Sequence, residues 1–361
     1  MKCILLFFCI LGLSVSREIC EYLKQTKLTV VLGDDSKLQL TTNGCITAST
    51  FQWRNVTAVY IEENLQRLGK SSVTEMPDLI TLSTVAGDLE ELQPGAFTNV
   101  PKLTTLSIRL SKLKEISRNT FDVIPLLEYI NFSNNMIDYI ADQVFANLSK
   151  LKTVVFSYNK LEFWNREWFT NSTSLERLTF NSNKIRSLPR RAFDGLPKLT
   201  EISFNNNEIT EIHPGAFKGC QRLKLLRLGG NRLKTINEDI FPRGLKLDTL
   251  FIGGNYLNFL SNEVLKKISV KTLELYGNPW KCPCLDRINY WLFETNGTTY
   301  SPEICTTSKI PICVYPKSYS KTCIEVADDE VNEMFLETLN TLTDAVDALK
   351  YCVNTEKLTL L

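Results

Sequence analysis

The chain has 361 residues, 43% of them hydrophobic and 22% charged, with a formal net charge of +1. That length and apolar share suit a large buried core, and the balanced charge excludes a global electrostatic pull toward nucleic acid or a membrane surface. The distribution is uneven, because residues 325–361 hold nine acids and two lysines, a local charge of −7 that leaves +8 on the rest.

Met1 and Lys2 precede an apolar run from Ile4 to Leu13 and then Ser14, Val15 and Ser16, which predicts a secretory signal over residues 1–16. The run is too short to span a bilayer comfortably, and no later stretch approaches twenty apolar residues, so no transmembrane anchor is expected. The chain reads as a secreted, extracellular protein. Five N-x-S/T sequons, at Asn55, Asn131, Asn147, Asn171 and Asn296, agree with that compartment and are candidate glycosylation sites. Asn147 and Asn171 share one repeat position. Asn131 is expected on the concave face, where a glycan obstructs a partner.

Residues 17–55 predict an N-terminal capping hairpin, with strands over 27–32 and 37–42 around the Gly33 to Ser36 turn and with Cys20 and Cys45 as its staple. Residues 56–278 then repeat every twenty-four positions, from Leu79 through Leu103, Leu127, Leu151, Leu175, Leu199 and Leu223 to Leu247. Asparagines stand in one column (Asn135, Asn159, Asn183, Asn207, Asn231, Asn255) and phenylalanines in another (Phe97, Phe121, Phe145, Phe169, Phe193, Phe217, Phe241). One such repeat cannot bury its apolar edge alone, so the columns predict stacked repeats with a continuous core. An Asn amide carries donors and an acceptor that can satisfy backbone groups left open by a turn. Gly87 and Ser111 interrupt that column.

These LxxLxLxxNxL-like phrases, with PGAF at Pro94 to Phe97, HPGAF at His213 to Phe217 and LPRRAF at Leu188 to Phe193, resemble the extracellular leucine-rich repeat superfamily. The resemblance implies an α/β solenoid, a curved horseshoe of about ten repeats with a parallel concave sheet that binds protein, and it brings no catalytic residues. Residues 279–325, with Trp280, Cys282, Cys284, Trp291, Cys305 and Cys323, resemble the superfamily's cysteine-rich C-terminal cap, which implies Cys282 paired with Cys305 and Cys284 with Cys323. A zinc site is the alternative for these thiols, and an oxidising compartment argues against it. Cys220 occupies an apolar column and reads as a buried free thiol. Cys313 and Cys352 then pair with each other, or one of them reaches another chain.

The tail, residues 326–361, predicts an acidic amphipathic helix from about Asp328 to Val353, with Phe335, Leu339, Leu342, Val346 and Leu349 as its apolar seam. Two uses stand open: docking on the C-terminal cap, or a homo- or heterodimer through Leu339, Leu342, Val346 and Leu349 locked by Cys352.

On the concave face the outward positions toward the C-terminal end are Arg177, Glu201, Leu225, Arg227, Phe251 and Glu274, beside Gly229, Gly230, Gly253 and Gly254. Arg, Leu and Phe over a bare floor have the character of a binding hot spot. The single histidine, His213, sits in a turn beside no nucleophile, so the chain is not expected to be an enzyme, and no cofactor or metal is expected. The expected partner is an extracellular protein or glycoprotein, not nucleic acid. Signal, repeats, cap and short helix together are similar to the secreted leucine-rich immune proteins of insects, which implies recognition in innate immunity. The alternatives are a matrix or cell-surface adhesion scaffold, and an assembly subunit acting through its C-terminal helix.

Overall fold

The computed structural model describes residues 23–52, 54–63, 65–84, 87–300, 313–316 and 321–341. In each LxL phrase the leucines point inward and their neighbours outward, because side chains alternate across a strand. At Thr105–Ile108, for example, Leu106 and Ile108 are buried while Thr105 and Ser107 are partly exposed.

The strands join into one 13-stranded sheet. It opens with an antiparallel hairpin of β1 (Leu23–Leu32) and β2 (Lys37–Gly44), in which Leu28 faces Leu40 and Val30 faces Leu38. β1 also pairs antiparallel with β3 (Val56–Glu63), so the hairpin covers the first edge of the solenoid. From β3 the sheet is parallel, through β4 (Thr81–Thr84), β5 (Thr105–Ile108), β6 (Tyr129–Asn131), β7 (Thr153–Val155) and β8 (Arg177–Thr179). It continues through β9 (Glu201–Ser203), β10 (Leu225–Arg227), β11 (Leu245–Phe251), β12 (Ile268–Glu274) and the two-residue β13 (Thr298–Thr299). The parallel succession, one strand per repeat, is the concave sheet of a curved solenoid.

Both residue columns do structural work. Asn207 Nδ2 donates to the carbonyls of Phe180 (2.9 Å), Phe204 (3.1 Å) and Asn205 (3.2 Å), while its Oδ1 accepts from Ile185 N (3.1 Å). One amide thus bridges adjacent turns, and Asn135, Asn159, Asn183, Asn231 and Asn255 repeat the pattern. Ser111 is too short to span that gap, and its hydroxyl donates to Arg109 O within its own turn. Behind the sheet, Phe121, Phe145 and Phe169 stack at 5.3 and 5.4 Å, and Phe193 stacks on Phe217 at 5.3 Å. Burial of each ring contributes about 1.5–3 kcal/mol. Trp164 joins the two spines, 5.7 Å from Phe169 and 5.1 Å from Phe193, and its Nε1 donates to Ala192 O.

At the C-terminal end, helix α1 (Asn262–Lys267) precedes β12, and helix α2 (Cys282–Glu294) closes the core over fully buried Trp280. Cys284 is bonded to Cys323. Cys282 is bonded to Cys313, not to Cys305. Val314 explains the choice: its N–H donates to Trp280 O and its C=O accepts from Cys282 N, a short bridge that sets residue 313 against the start of α2. Cys313 is therefore not available to Cys352, and Cys282, Cys284, Cys313 and Cys323 stand as disulfides rather than as free thiols. Cys45 is disulfide-bonded, while Cys20, Cys305 and Cys352 lie outside the described residues. Cys220 is a buried free thiol, and burial pushes it up to about 12.

The tail is helical as α3 (Asp329–Thr341), with Val331, Phe335 and Leu339 buried one turn apart. Its start is tied to the solenoid. Asn258 donates to Asn332 Oδ1 (2.8 Å) and accepts from Asp328 N (2.7 Å), and Lys234 meets Asp329 at 2.7 Å. Just upstream, Arg287 meets Glu325 at 2.6 Å, and the buried Lys281 ammonium donates to Val326 O. Leu339 is thus buried within the chain rather than offered to a second one. Leu342, Val346 and Leu349 lie outside the described residues.

Candidate recognition surface

Strand register brings most of the candidate contacts together. Arg177, Glu201, Leu225 and Thr249 face one another in one row across β8 to β11, and Thr179, Ser203, Arg227, Phe251 and Glu274 form the next row across β8 to β12. Arg177 is exposed and donates from Nε to Thr153 Oγ1 at 3.2 Å; Glu201, Leu225, Arg227 and Phe251 are half-buried. The Arg227 guanidinium lies 5.2 Å from the Phe251 ring centroid, a cation–π contact worth about 0.5–1 kcal/mol in an exposed setting. The Tyr300 ring stands edge-on to Phe251 at 6.0 Å. Arg227, Phe251 and Tyr300 therefore form one continuous amphipathic surface at the C-terminal end of the sheet.

Tyr300 had no counterpart among the expected contacts. It follows β13, beyond the last repeat, so the twenty-four-residue period carries no signal for it. The nearest sequence hint is the Thr298–Thr299 pair, which extends the sheet by one strand.

Glu274 is not a contact residue. Strand alternation places it on the outward face, yet it is 2% exposed. Its carboxylate turns down onto the floor and accepts from Gly253 N (2.9 Å) and Tyr276 N (3.0 Å). Burial outweighs those two donors and pushes its pKa up to about 8. The same geometry explains Gly253, where a Cβ would collide with the Glu274 carboxylate. This glycine makes room for a neighbouring side chain rather than baring the floor for a ligand.

Glu274 completes a polar ladder that sequence reading missed. Asn181 Oδ1 accepts from Asn205 N (2.8 Å) and from the Ser203 hydroxyl, and Asn205 Oδ1 accepts from Gly229 N (2.9 Å). Glu274 does for Gly253 what Asn205 does for Gly229. Two neighbouring asparagines, Asn181 and Asn205, were the available signal.

The sequons separate. Asn131 is buried, its Nδ2 donating to the Tyr129 hydroxyl and its Oδ1 accepting from Ser133 N. Asn55, Asn147, Asn171 and Asn296 are exposed, and Asn171 Nδ2 reaches Asn147 Oδ1 at 3.1 Å along one flank. His213 faces Glu211 at 3.4 Å in a partly exposed turn. Among the described residues no three His, Cys, Asp or Glu side chains are grouped to hold a metal, and no helix is long and apolar enough to cross a membrane.

Comparison of the sequence with curated proteins finds no significant match. Among solved structures the chain is similar to Drosophila Toll in its complex with Spatzle (TM-score 0.55, 19% identity, 65% of this chain and 35% of that one). A glycosylated form of the same complex gives a TM-score of 0.53 at 22% identity, over 57% of this chain and 28% of that one. The chain thus spans only about a third of the length of those relatives. Human 5T4, also called trophoblast glycoprotein, is similar with a TM-score of 0.50 and 21% identity over 73% of this chain and 89% of that one. Identities this low establish the fold alone. The family model for the BspA type leucine rich repeat region matches residues 45–175, and the leucine rich repeat model matches residues 173–233. Together they span more than half of the chain, and with the stacked columns and the disulfide-bonded cap they make it a member of the leucine-rich repeat family.

Proposed function

We propose that the chain is an exported recognition protein, in the immune setting that its domain order resembles, and that it binds an extracellular protein or glycoprotein at the C-terminal end of its concave sheet. The observation that carries this reading is the Arg227–Phe251–Tyr300 surface. Aromatic and arginine side chains side by side are the residue types that dominate binding energy at protein interfaces. Disulfides in the cap fit an oxidising compartment. Toll, a relative in fold, is found in complex with Spatzle, so a solenoid of this kind serves recognition there.

The test is capture from extracellular fluid of the source organism on immobilised full-length protein, with Arg227→Glu/Phe251→Ala as the variant. A partner that saturates the wild-type protein and is lost from the double variant supports the reading. Equal capture by both, with both folded, refutes the placement of the site.

A further inference from the structure

The chain carries a second, chemically different surface on its convex side. Two adjoining grooves, of about 690 and 520 Å³, share Gly215, Lys218 and Asp239 and run across the turns of four successive repeats. Arg190, Lys218 and Arg243 line them, are exposed, and join no ion pair among the described residues. Three further cations are engaged: Arg191 with Asp194 (2.7 Å), Lys266 with Glu263 (2.9 Å) and Lys267 with Asp239 (3.2 Å). Glu238, half-buried, also lines the larger groove and joins no ion pair among the described residues, so three unpaired cations stand against one unpaired acid and the grooves keep a positive surplus. Phe241 and Pro242 sit in the lining but are buried, so the grooves present charge without an aromatic anchor.

That chemistry selects among ligands. A protein interface depletes charge at its core and enriches aromatics, and single-stranded nucleic acid needs stacking platforms. A flexible polyanion needs neither, only a row of cations that displaces its counterions. The flank is also unobstructed here. The position held by Asn147 and Asn171 in two earlier repeats is Gly195 and Gly219 in the next two, then Arg243 and Lys267. At this repeat position the sequons stop before the grooves begin.

We infer that this convex groove binds a linear sulfated polysaccharide, independently of the concave surface. The experiment uses the secreted full chain and immobilised heparin as the probe, with chemically desulfated heparin as the control. Wild type is expected to bind at physiological salt and to weaken steeply with added salt, and Arg190→Ser/Lys218→Ser/Arg243→Ser is expected to lose at least about tenfold in affinity with a shallower salt dependence. The desulfated chain should not bind. Arg243→Glu alone gives the same direction should the triple variant express poorly. Failure of wild type to bind heparin overturns the inference. So does undiminished binding by the triple variant, or an equal loss in a concave-face control, Arg177→Ser/Arg227→Ser.

Discussion

Replacing Glu274 with Gln tests the account of the concave floor through the pH dependence of stability. A carboxyl that titrates at about 8 in the folded protein, against an ordinary 4.5, binds its proton more tightly folded than unfolded. Stability is then fully present below pH 4.5 and is lost as pH rises through 8. Each pH unit inside that window costs about 1.4 kcal/mol, so the step from pH 5.5 to 7.5 should remove about 3 kcal/mol. The chain contains a single histidine, which leaves little else to titrate across this interval. In thermal unfolding the wild-type midpoint should fall by roughly 5 °C or more over those two pH units. Glu274→Gln keeps one acceptor and loses the other, a constant cost at every pH, and it should flatten the slope. A wild-type midpoint that holds or rises across the interval, or a variant with the wild-type slope, would mean that the Glu274 carboxyl does not take up a proton on folding.

Asn207→Ala removes three donated bonds and one accepted bond in a buried turn; denaturant titration should show a loss of about 2–4 kcal/mol, near the upper end for buried polar groups left unpaired. The Cys220 thiol, buried and pushed up to about 12, should resist iodoacetamide in the native protein and react once guanidinium unfolds it. Peptide mapping without reductant should return Cys282 linked to Cys313 and Cys284 linked to Cys323; a fragment joining Cys282 to Cys305 would restore the pairing that the superfamily's cap implies.

The solenoid was legible because its signal is redundant. A leucine, an asparagine and a phenylalanine recur at fixed offsets, and each column has one physical job that any residue substitution would interrupt visibly, as Ser111 does. Arg177, Glu201, Leu225, Arg227 and Phe251 were legible as a group because strand alternation and the period fix their register. Cys313 was not, since pairing depends on which cysteine the cap brings against α2, and the Val314 bridge that decides it has no sequence spacing of its own. Tyr300 escaped because it lies past the repeats. The tail's apolar seam was legible as helical, but its use was not: Phe335 and Leu339 fit a partner chain as well as a cap until Asn258, Lys234 and Lys281 are seen to anchor the helix start.

Alternation and ladder make opposite demands on Glu274. Alternation says outward and the ladder says down, and the ladder prevails because the buried Gly253 amide and the half-buried Tyr276 amide would otherwise lack this acceptor. The cost is a buried carboxyl on the residue that pairs with Phe251 across the strands, so ionisation should loosen the segment that carries the recognition surface before it unfolds the solenoid. Hydrogen exchange of peptides spanning 250–256 and 274–277 measures this without a ligand. After correction for the intrinsic pH dependence, wild-type opening there should rise between pH 6 and 8.5, while the peptides around Asn159 and Asn183, whose ladder is neutral, stay unchanged. In Glu274→Gln both regions should behave alike. If the two regions already exchange in parallel in the wild-type protein, the carboxyl is not straining the floor, and its two backbone donors suffice to hold it ionised.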